Sequence, residues 1–308
     1  MSSNPGLLDT MRSAYAAYDA GDSGPFLDLF SEEGVIRFTA PESFLPFAGP
    51  SYGPEGARDA LLAISELFEW QSYNVYELIV DGDSVFAVTG GRLRHRESEQ
   101  ETDVQLGDLI RFEDGKIVEF VEFFDSAGLR AWTSGEGVPA CAELSAGLAP
   151  SGASAAYPAW APPAEVEPQT HCASSNKALL SKCYDAYARF DPEPLVRLFD
   201  SAASYNTVGR REDFTFAGPC YGRSAVLDNI ARIHADYDLE KYEISRMIAQ
   251  DDLVAVHADV GFRYKSTGNL VAVDKVDLFR MRDGKIIEFN EFFDTASALD
   301  TREGAGEG

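Results

Sequence analysis

The chain has 308 residues, of which 45% are apolar and 12% aromatic, a composition typical of globular domains rather than disordered segments. Its formal net charge of −25 disfavours nucleic acid and anionic membrane surfaces as partners, because both are polyanions. No apolar run reaches the roughly 18 residues that a membrane-spanning helix needs, and the N-terminus lacks the features of a secretory signal. The four cysteines form no close pairs, so we expect a reduced, cytoplasmic protein.

The first half of the chain predicts helices followed by strands. Apolar residues recur at helical spacing between Leu8 and Tyr18, and a short second helix follows at 26–30. After a strand at 35–39 and a helix at 55–67, four β segments are expected, at 73–80, 84–92, 104–112 and 116–124. The dipeptide Asp114-Gly115 predicts a tight hairpin between the last two. This order is typical of an α+β domain with helices packed on one face of a curved, mostly antiparallel sheet.

The second half of the chain repeats the first. One constant shift places 30–127 on 199–296 without a gap, with the loop FAGPSYG on FAGPCYG and the hairpin DGKIVEFVEFFDSA on DGKIIEFNEFFDTA. For the first helices we use a slightly larger shift, which pairs Tyr15 with Tyr187 and assumes three extra residues near 21–25. We predict tandem domains at 1–130 and 176–300, a flexible Ala/Pro/Gly/Ser linker at 131–175 and a tail at 301–308.

Alternation along the strands predicts which polar side chains are buried. Asp108 shares one strand face with apolar residues, so we expect it to point into the domain interior. Glu122 lies between Phe120 and Phe124 on one face of the last predicted strand. A carboxyl group in such surroundings costs free energy unless it is paired, protonated or used in catalysis.

The second copy carries more ionisable groups at the matching positions. Asp277 and Glu291 take the places of Asp108 and Glu122, and Lys275 lies two residues before Asp277 on the same face. The lysine fits either a structural ion pair or a catalytic set. If only one copy is active, this convergence favours the second.

Each copy, over its whole length, resembles the nuclear transport factor 2-like superfamily, which includes ketosteroid isomerase, limonene epoxide hydrolase and the SnoaL-like polyketide cyclases. The string DGKIVEFVEFFD is similar to the terminal-strand signature of the hydrolase and the cyclases. The resemblance implies two cystatin-like cone domains. It also implies a catalytic acid seven residues after the hairpin glycine, where this chain has Glu122 and Glu291 instead of aspartate.

The resemblance to ketosteroid isomerase implies two further site positions in each copy. Its oxyanion-hole tyrosine precedes an Ala-Gly-Asp turn and corresponds to Tyr15, and hence to Tyr187 in our alignment. Its protonated aspartic acid corresponds, across a one-residue gap, to Asp108 and Asp277.

Parts of the related enzymes' machinery are missing from this chain. The general-base position of ketosteroid isomerase holds Phe38 and Thr207, which disfavours steroid isomerisation with that base. The Arg-x-Asp pair of the epoxide hydrolase is approached only by His257-Ala258-Asp259, after a one-residue shift, and the arginine is absent. The facing of His257 and Asp259 stays open, because their neighbours could form the core face.

These observations predict a cofactor-independent, metal-independent acid–base enzyme of isomerase, cyclase, dehydratase or lyase type, acting on a hydrophobic aromatic or polycyclic molecule. The candidate catalytic residues are Glu291, Asp277, Tyr187, Lys275, His257, Asp259, Glu122, Asp108 and Tyr15. Two alternatives are a non-catalytic carrier of an apolar ligand and a scaffold whose sheets form an interaction surface. Relatives commonly pair through their sheets, which implies an intrachain pseudo-dimer or a homo-oligomer with outward residues such as Val121 and Phe123 at the interface.

Overall fold

A computed structural model describes residues 5–137 and 173–304, which form two compact units divided between residues 161 and 162. Each unit is a curled mixed sheet with helices, as predicted. Most of the predicted linker, and residues 305–308 of the predicted tail, lie outside the described residues. Residues 131–133 and 173–175 are helical, so the linker is shorter at both ends than its composition indicated.

The first unit begins with helices and ends with one. Its helices are α1 (Pro5–Asp19), α2 (Gly24–Leu27), α3 (Gly53–Leu67) and α4 (Ser126–Thr133), and its strands are β1 (Phe30–Phe38), β2 (Gly49–Tyr52), β3 (Phe68–Trp70), β4 (Asn74–Asp81), β5 (Ser84–His95), β6 (Glu101–Glu113) and β7 (Lys116–Phe124). The sheet order is β2-β1-β7-β6-β5-β3, with β4 also paired to β5. Strand β1 runs parallel to β7, so the sheet is mixed rather than a pure meander.

The second unit has the same plan. Its helices are α5 (Ala173–Tyr187), α6 (Glu193–Val196), α7 (Arg223–Asp236) and α8 (Thr295–Glu303), and its strands are β8 (Phe199–Thr207), β9 (Gly218–Tyr221), β10 (Tyr237–Gln250), β11 (Leu253–Tyr264), β12 (Leu270–Arg282) and β13 (Lys285–Phe293). The sheet order is β10-β11-β12-β13-β8-β9. A single strand, β10, takes the place of β3 and β4.

The hairpin that joins the last two strands has the predicted geometry in both units. Asp114 and Gly115 have φ angles of 49° and 77°, and Asp283 and Gly284 have 50° and 71°. Glycine and aspartate tolerate this left-handed region better than most residues do. A register shift of one residue follows the turn in both units, and the register beyond it positions the carboxyl groups described below.

The structure aligns the first helices of the two units differently from the alignment predicted from the sequence. Helices α2 and α6 are separated by the same offset as the strands β1 and β8 that follow them. No insertion is therefore needed near 21–25, and the larger shift that pairs Tyr15 with Tyr187 is wrong. The counterpart of Tyr15 is Tyr184, and Tyr187 is the counterpart of Tyr18.

The helix at the end of each unit was not predicted. Asp125 caps α4 by accepting a hydrogen bond from the Gly128 backbone amide at 3.0 Å, and Asp294 caps α8 through Ser297 at the same distance. Helix α4 places Trp132, only 3% exposed, against Phe68 with ring centroids 6.3 Å apart. Ala131 and Trp132 therefore belong to the core of the first unit rather than to a linker.

Truncation of Trp132 tests this assignment. We expect Trp132→Ala to lower the free energy of unfolding of the first unit by about 3–5 kcal/mol, because a buried aromatic side chain would leave a cavity. Urea unfolding followed by circular dichroism measures the change. Leu62→Ala is the matched control, since Leu62 is 54% exposed and its truncation should change stability by less than about 0.5 kcal/mol. Equal effects of the two substitutions would contradict the packing of α4.

Candidate active site

Strand register brings two carboxyl groups together in each unit. Asp108 on β6 pairs directly with Glu122 on β7, and Asp277 on β12 pairs directly with Glu291 on β13. Directly paired residues of antiparallel strands share a face. In the first unit that face also carries Ile110, which belongs to the core formed with the helices. Both pairs therefore lie on the helix-covered side of their sheet.

In the first unit Asp108 is fully buried and is held by hydroxyl groups. Tyr15, projecting from α1, donates a hydrogen bond to Asp108 Oδ2 at 2.7 Å. Thr89 on β5 donates to the same oxygen at 3.2 Å. The second oxygen, Oδ1, is buried and has no hydrogen-bond partner among the described residues. The alternating pattern correctly placed this carboxyl in the interior.

Burial raises the pKa of both carboxyl groups in the first unit. Desolvation raises the pKa of Asp108 to about 7, although the hydrogen bonds from Tyr15 and Thr89 act in the opposite direction. Desolvation, and then the charge of Asp108, hold the pKa of Glu122 well above its usual range. No basic side chain in the described residues pairs with these two acids, so ionisation of both would place two negative charges side by side at a high cost in free energy. Protons therefore remain on this pair near neutral pH.

The half-buried Glu122 opens onto two adjoining cavities of about 560 and 490 Å³, which include open space at their mouths. Both cavities are also lined by Ile64, Trp70 and Leu106. The smaller one is lined in addition by three tyrosines, which are Tyr15, Tyr18 and Tyr73. The first unit thus presents Glu122 and aromatic rings to a mostly apolar space, whereas Asp108 lines neither cavity.

In the second unit Asp277 is bound by two tyrosines. Tyr184 donates to Asp277 Oδ2 at 2.5 Å and Tyr242 donates to the same oxygen at 3.2 Å. Tyr184 thus makes the contact that Tyr15 makes in the first unit, and Tyr187 makes no hydrogen bond to Asp277. Neither Tyr184 nor Tyr242 was among the residues predicted from the sequence. Extending the gap-free shift over the whole repeat would have identified them, as the counterparts of Tyr15 and Tyr73.

Lys275 lies between the two carboxyl groups of the second unit. Its ammonium is 3.0 Å from Asp277 Oδ1 and 2.8 Å from Glu291 Oε2, and it lies 5.5 Å from the centre of the Tyr242 ring. Burial alone would lower the pKa of Lys275, but the negative charges of Asp277 and Glu291 outweigh it and raise that pKa. Burial raises the pKa of Glu291, while Lys275 opposes the rise. The site therefore places a cation beside both of its carboxyl groups.

Lys275, Asp277 and Glu291 all line a cavity of about 840 Å³, again including its open mouth. Tyr205 stacks on Phe289 in its wall with ring centroids 4.4 Å apart. A cavity with a few polar groups in an aromatic wall suits a largely flat, apolar molecule. The aromatic side chains that dominate this wall are Tyr184, Tyr187, Phe199, Tyr205, Phe214, Phe216, Tyr237, Tyr242, Phe262, Phe289 and Phe293.

Tyr187 keeps a place in this cavity, although not the one expected from the sequence. Its ring packs against Tyr242 at 5.4 Å, and its hydroxyl makes no hydrogen bond within the described parts of the chain. Burial, partly offset by Lys275, raises the pKa of Tyr187 to about 12. The hydroxyl thus remains a protonated donor that can serve a bound molecule.

His257 and Asp259 lie on the other face of the sheet, away from the cavity. His257 Nε2 is 2.6 Å from Asp274 Oδ1, and Asp259 forms an ion pair with Lys241 at 2.6 Å. Their neighbours Val256 and Ala258 face the core instead. The placement of these two residues in the catalytic set is therefore wrong. The apolar residues that alternate with them along the strand form the core face, and His257 and Asp259 point to the opposite face.

Two further properties bear on the class of protein. Across residues 5–137 and 173–304, no group of three or more His, Cys, Asp or Glu side chains is arranged to hold a metal ion. No helix in the same residues is long and apolar enough to cross a membrane.

Solved structures with similar folds are small proteins that align with less than half of this chain. An NTF2-like protein from Burkholderia thailandensis is 20% identical, covering 41% of this chain and 95% of its own, with a TM-score of 0.38. An NTF2-like protein from Burkholderia xenovorans is 19% identical over 44% of this chain and 99% of its own, with a TM-score of 0.38. Bal32a, from a soil-derived mobile gene cassette, is 24% identical over 42% and 97%, with a TM-score of 0.36. No curated protein matches the sequence.

The profile of the SnoaL-like domain family matches residues 11–120 and again residues 180–289. The two matches have equal lengths, and their starting positions differ by the same offset as strands β1 and β8, which agrees with the gap-free repeat in the structure. Together they cover more than half of the chain and include every candidate residue except Glu122 and Glu291, which follow shortly after each match. The chain therefore belongs to the SnoaL-like domain family, of which it contains two tandem copies.

Proposed function

We propose that the second unit is a cofactor-independent enzyme that moves a proton on a hydrophobic aromatic or polycyclic molecule. The observation that carries the proposal is the triad of Asp277, Lys275 and Glu291 at the wall of an aromatic cavity of about 840 Å³. The SnoaL-like fold is compatible with an isomerase or cyclase role. The residues of the site support this role better than passive binding. Burial of ionisable groups costs free energy of folding, and a cavity that only binds an apolar molecule does not need them.

Glu291 is the general base in this proposal. Burial raises the pKa of Glu291, Lys275 opposes that rise, and the carboxyl group lines the cavity. It removes a proton from a carbon next to a carbonyl group of the bound molecule, which leaves the Glu291 carboxyl protonated and the electron pair on an enolate oxygen. Where the molecule has a double bond between its β and γ carbons, the same carboxyl then returns the proton to the γ carbon, which completes an isomerisation. Attack of the enolate carbon on a second carbonyl would instead form a carbon–carbon bond and close a ring, and the alkoxide formed from that carbonyl would take the proton from the Glu291 carboxyl.

Two donors can stabilise the enolate oxygen. The Lys275 ammonium supplies a positive charge in a site of low dielectric, and the Tyr187 hydroxyl supplies a free hydrogen bond. Asp277, held by Tyr184 and Tyr242, fixes the position of the lysine from the opposite side. Asp277 and Tyr184 are therefore positioning residues, whereas Glu291, Lys275 and Tyr187 would touch the substrate.

The first unit favours binding without catalysis. No cation from residues 5–137 pairs with its carboxyl groups, and Leu106 occupies the place of Lys275. Protonated acids are hydrogen-bond donors but poor bases. We assign this unit a ligand-binding role, and pairing of the sheets remains a prediction from the sequence.

Hydrogen exchange into a bicyclic ketone tests the base without knowledge of the net reaction. We expect the protein to accelerate exchange of the α-hydrogens of 2-tetralone with deuterated water, followed by nuclear magnetic resonance. Glu291→Gln should reduce this acceleration by about 10²–10⁴-fold, the usual contribution of a positioned general base. The affinity for the ketone should change much less. It can be measured by displacement of a bound aromatic dye, followed by the fluorescence of the dye.

Glu288→Gln is the matched control for this experiment. Glu288 lies on the same strand and is half-buried, but it pairs with Arg280 at 3.2 Å and does not line the cavity. The variant should keep the wild-type exchange rate. Exchange that survives in Glu291→Gln and disappears in Glu122→Gln would place the chemistry in the first unit and contradict the proposal.

The pH dependence of the same exchange tests the role of Lys275. The rate should rise with pH as Glu291 ionises, with a midpoint above the usual glutamate value because burial raises its pKa. Lys275→Met removes the group that opposes this rise and leaves Glu291 facing Asp277. The midpoint should then move to higher pH, by at least about one unit if the ion pair is worth about 1.4 kcal/mol or more.

Thermal stability separates this effect from simple unfolding. Lys275→Met with an unchanged midpoint and a normal melting temperature would show that the lysine does not control the ionisation of Glu291. A melting temperature that falls below the assay temperature would call for Lys275→Arg, which keeps the charge and should keep the midpoint close to that of the wild type.

A further inference from the structure

The second unit shows what kind of group its carboxyl pair binds. The Lys275 ammonium lies within 3.0 Å of Asp277 Oδ1 and 2.8 Å of Glu291 Oε2, with the face of Tyr242 at 5.5 Å. This ammonium donates a charge-assisted hydrogen bond to Glu291, forms an ion pair with Asp277 and makes a cation–π contact with the aromatic ring.

The first unit has the same receptor without the cation. Its members Asp108, Glu122 and Tyr73 are the counterparts of Asp277, Glu291 and Tyr242, and strand register opposes the two carboxyl groups in the same way. Leu106 stands where the second unit has Lys275. Within the described residues, neither carboxyl group forms an ion pair with a basic side chain.

The oxygens that would receive an ammonium are not used by the protein. Asp108 Oδ1 is buried without a hydrogen-bond partner in the described part of the chain, and it corresponds to the oxygen of Asp277 that faces Lys275. The Glu122 side chain makes no hydrogen bond within residues 5–137 and opens onto both cavities. Buried polar atoms are normally satisfied, so this arrangement calls for a partner from outside the chain.

The surroundings define the rest of the partner. The smaller cavity, of about 490 Å³, is walled by aromatic side chains, with Trp70 and Tyr73 in edge-to-face contact at 5.0 Å. Tyr18 packs against Tyr73 as well, at 5.1 Å. These rings provide apolar area for a hydrophobic body and electron-rich faces for the neighbouring positive charge.

From this comparison we infer that the cavity of the first unit binds a protonated primary or secondary amine with an aromatic or apolar body, whose ammonium lies against Glu122, the carboxyl group that lines the cavity and that Asp108 opposes across the sheet. At least two N–H groups are required, because the equivalent ammonium of Lys275 reaches two carboxyl groups. The ammonium of the ligand provides the positive charge that Lys275 provides in the second unit. The inference rests on the binding role proposed for the first unit, and this site is separate from the proposed catalytic site.

Proton release accompanies binding at this site. In the free protein burial raises the pKa of Asp108 and of Glu122, so the pair retains protons near neutral pH. An incoming ammonium favours the ionised carboxyl groups, which therefore lose protons to the solvent. The other titratable groups facing the pair are Tyr15, Tyr18 and Tyr73. Burial raises the pKa of each of these tyrosines, so they stay neutral throughout.

Calorimetry on the full-length protein tests the inference with 2-phenylethylamine as the probe. We expect saturable binding with one site per chain at pH 7, and a heat that changes with the ionisation enthalpy of the buffer because protons are released. The neutral isostere 2-phenylethanol should bind at least about thirtyfold more weakly, which is the lower limit for loss of one partner of a buried charge pair. Equal binding of the alcohol, or a heat independent of the buffer, would overturn the assignment.

Substitution of Leu106 locates the site. Leu106→Lys should place a tethered ammonium between the carboxyl groups, as in the second unit, and abolish binding of the amine. Leu106→Met is the matched control and should keep it. If Leu106→Lys does not fold, Glu122→Gln provides the second test and should weaken the amine about thirtyfold or more. Amine binding that is unchanged in the folded Leu106→Lys protein, or in Glu122→Gln, would show that the amine binds elsewhere.

Discussion

Two directly opposed carboxyl groups on the helix-covered face of a sheet are the constraint on which each unit is built. The hairpin turn begins the pairing of the last two strands, and a one-residue register shift next to it places Asp108 opposite Glu122 and Asp277 opposite Glu291. Burial of two acids side by side is unfavourable unless protons or a cation remove one of the charges. The polar groups around each carboxyl pair reflect how that unit removes one of the two charges.

The two units meet it in different ways. The first retains protons and satisfies one oxygen of Asp108 with hydroxyl groups from Tyr15 and Thr89. The second inserts Lys275 and replaces the threonine by Ala258, so that tyrosines and the ammonium hold the aspartate. A protonated pair donates hydrogen bonds and can respond to a cation, whereas Lys275 opposes the rise that burial causes in the pKa of Glu291 and so favours its use as a base. One scaffold therefore supports two kinds of chemistry, and this difference separates the proposed binding unit from the proposed catalytic unit.

Much of the fold could be predicted from the sequence because the repeat and the strand alternation are local signals. The four long strands, the hairpin and the inward facing of Asp108 follow from period-two patterns and from the Asp-Gly dipeptide. Helix α4 escaped prediction because it follows directly from the last strand and continues into the Ala/Pro/Gly/Ser-rich segment, so its composition merged with that of the linker. The capping by Asp125 and the packing of Trp132 on Phe68 are tertiary effects that composition does not show.

The site was predicted less completely than the fold, for a related reason. Tyr187 was chosen over Tyr184 because similarity of short sequences outweighed the constant spacing that a gap-free repeat imposes. His257 was included because both faces of β11 are rich in small and apolar residues, so alternation alone did not show which face meets the helices. Contacts across the sheet decide such cases: Asp277 pairs with Val256, which puts His257 on the opposite face. For a duplicated domain the second copy is the better guide, since a side chain that departs from an otherwise shared receptor, as Lys275 does from Leu106, indicates where the two copies have changed function.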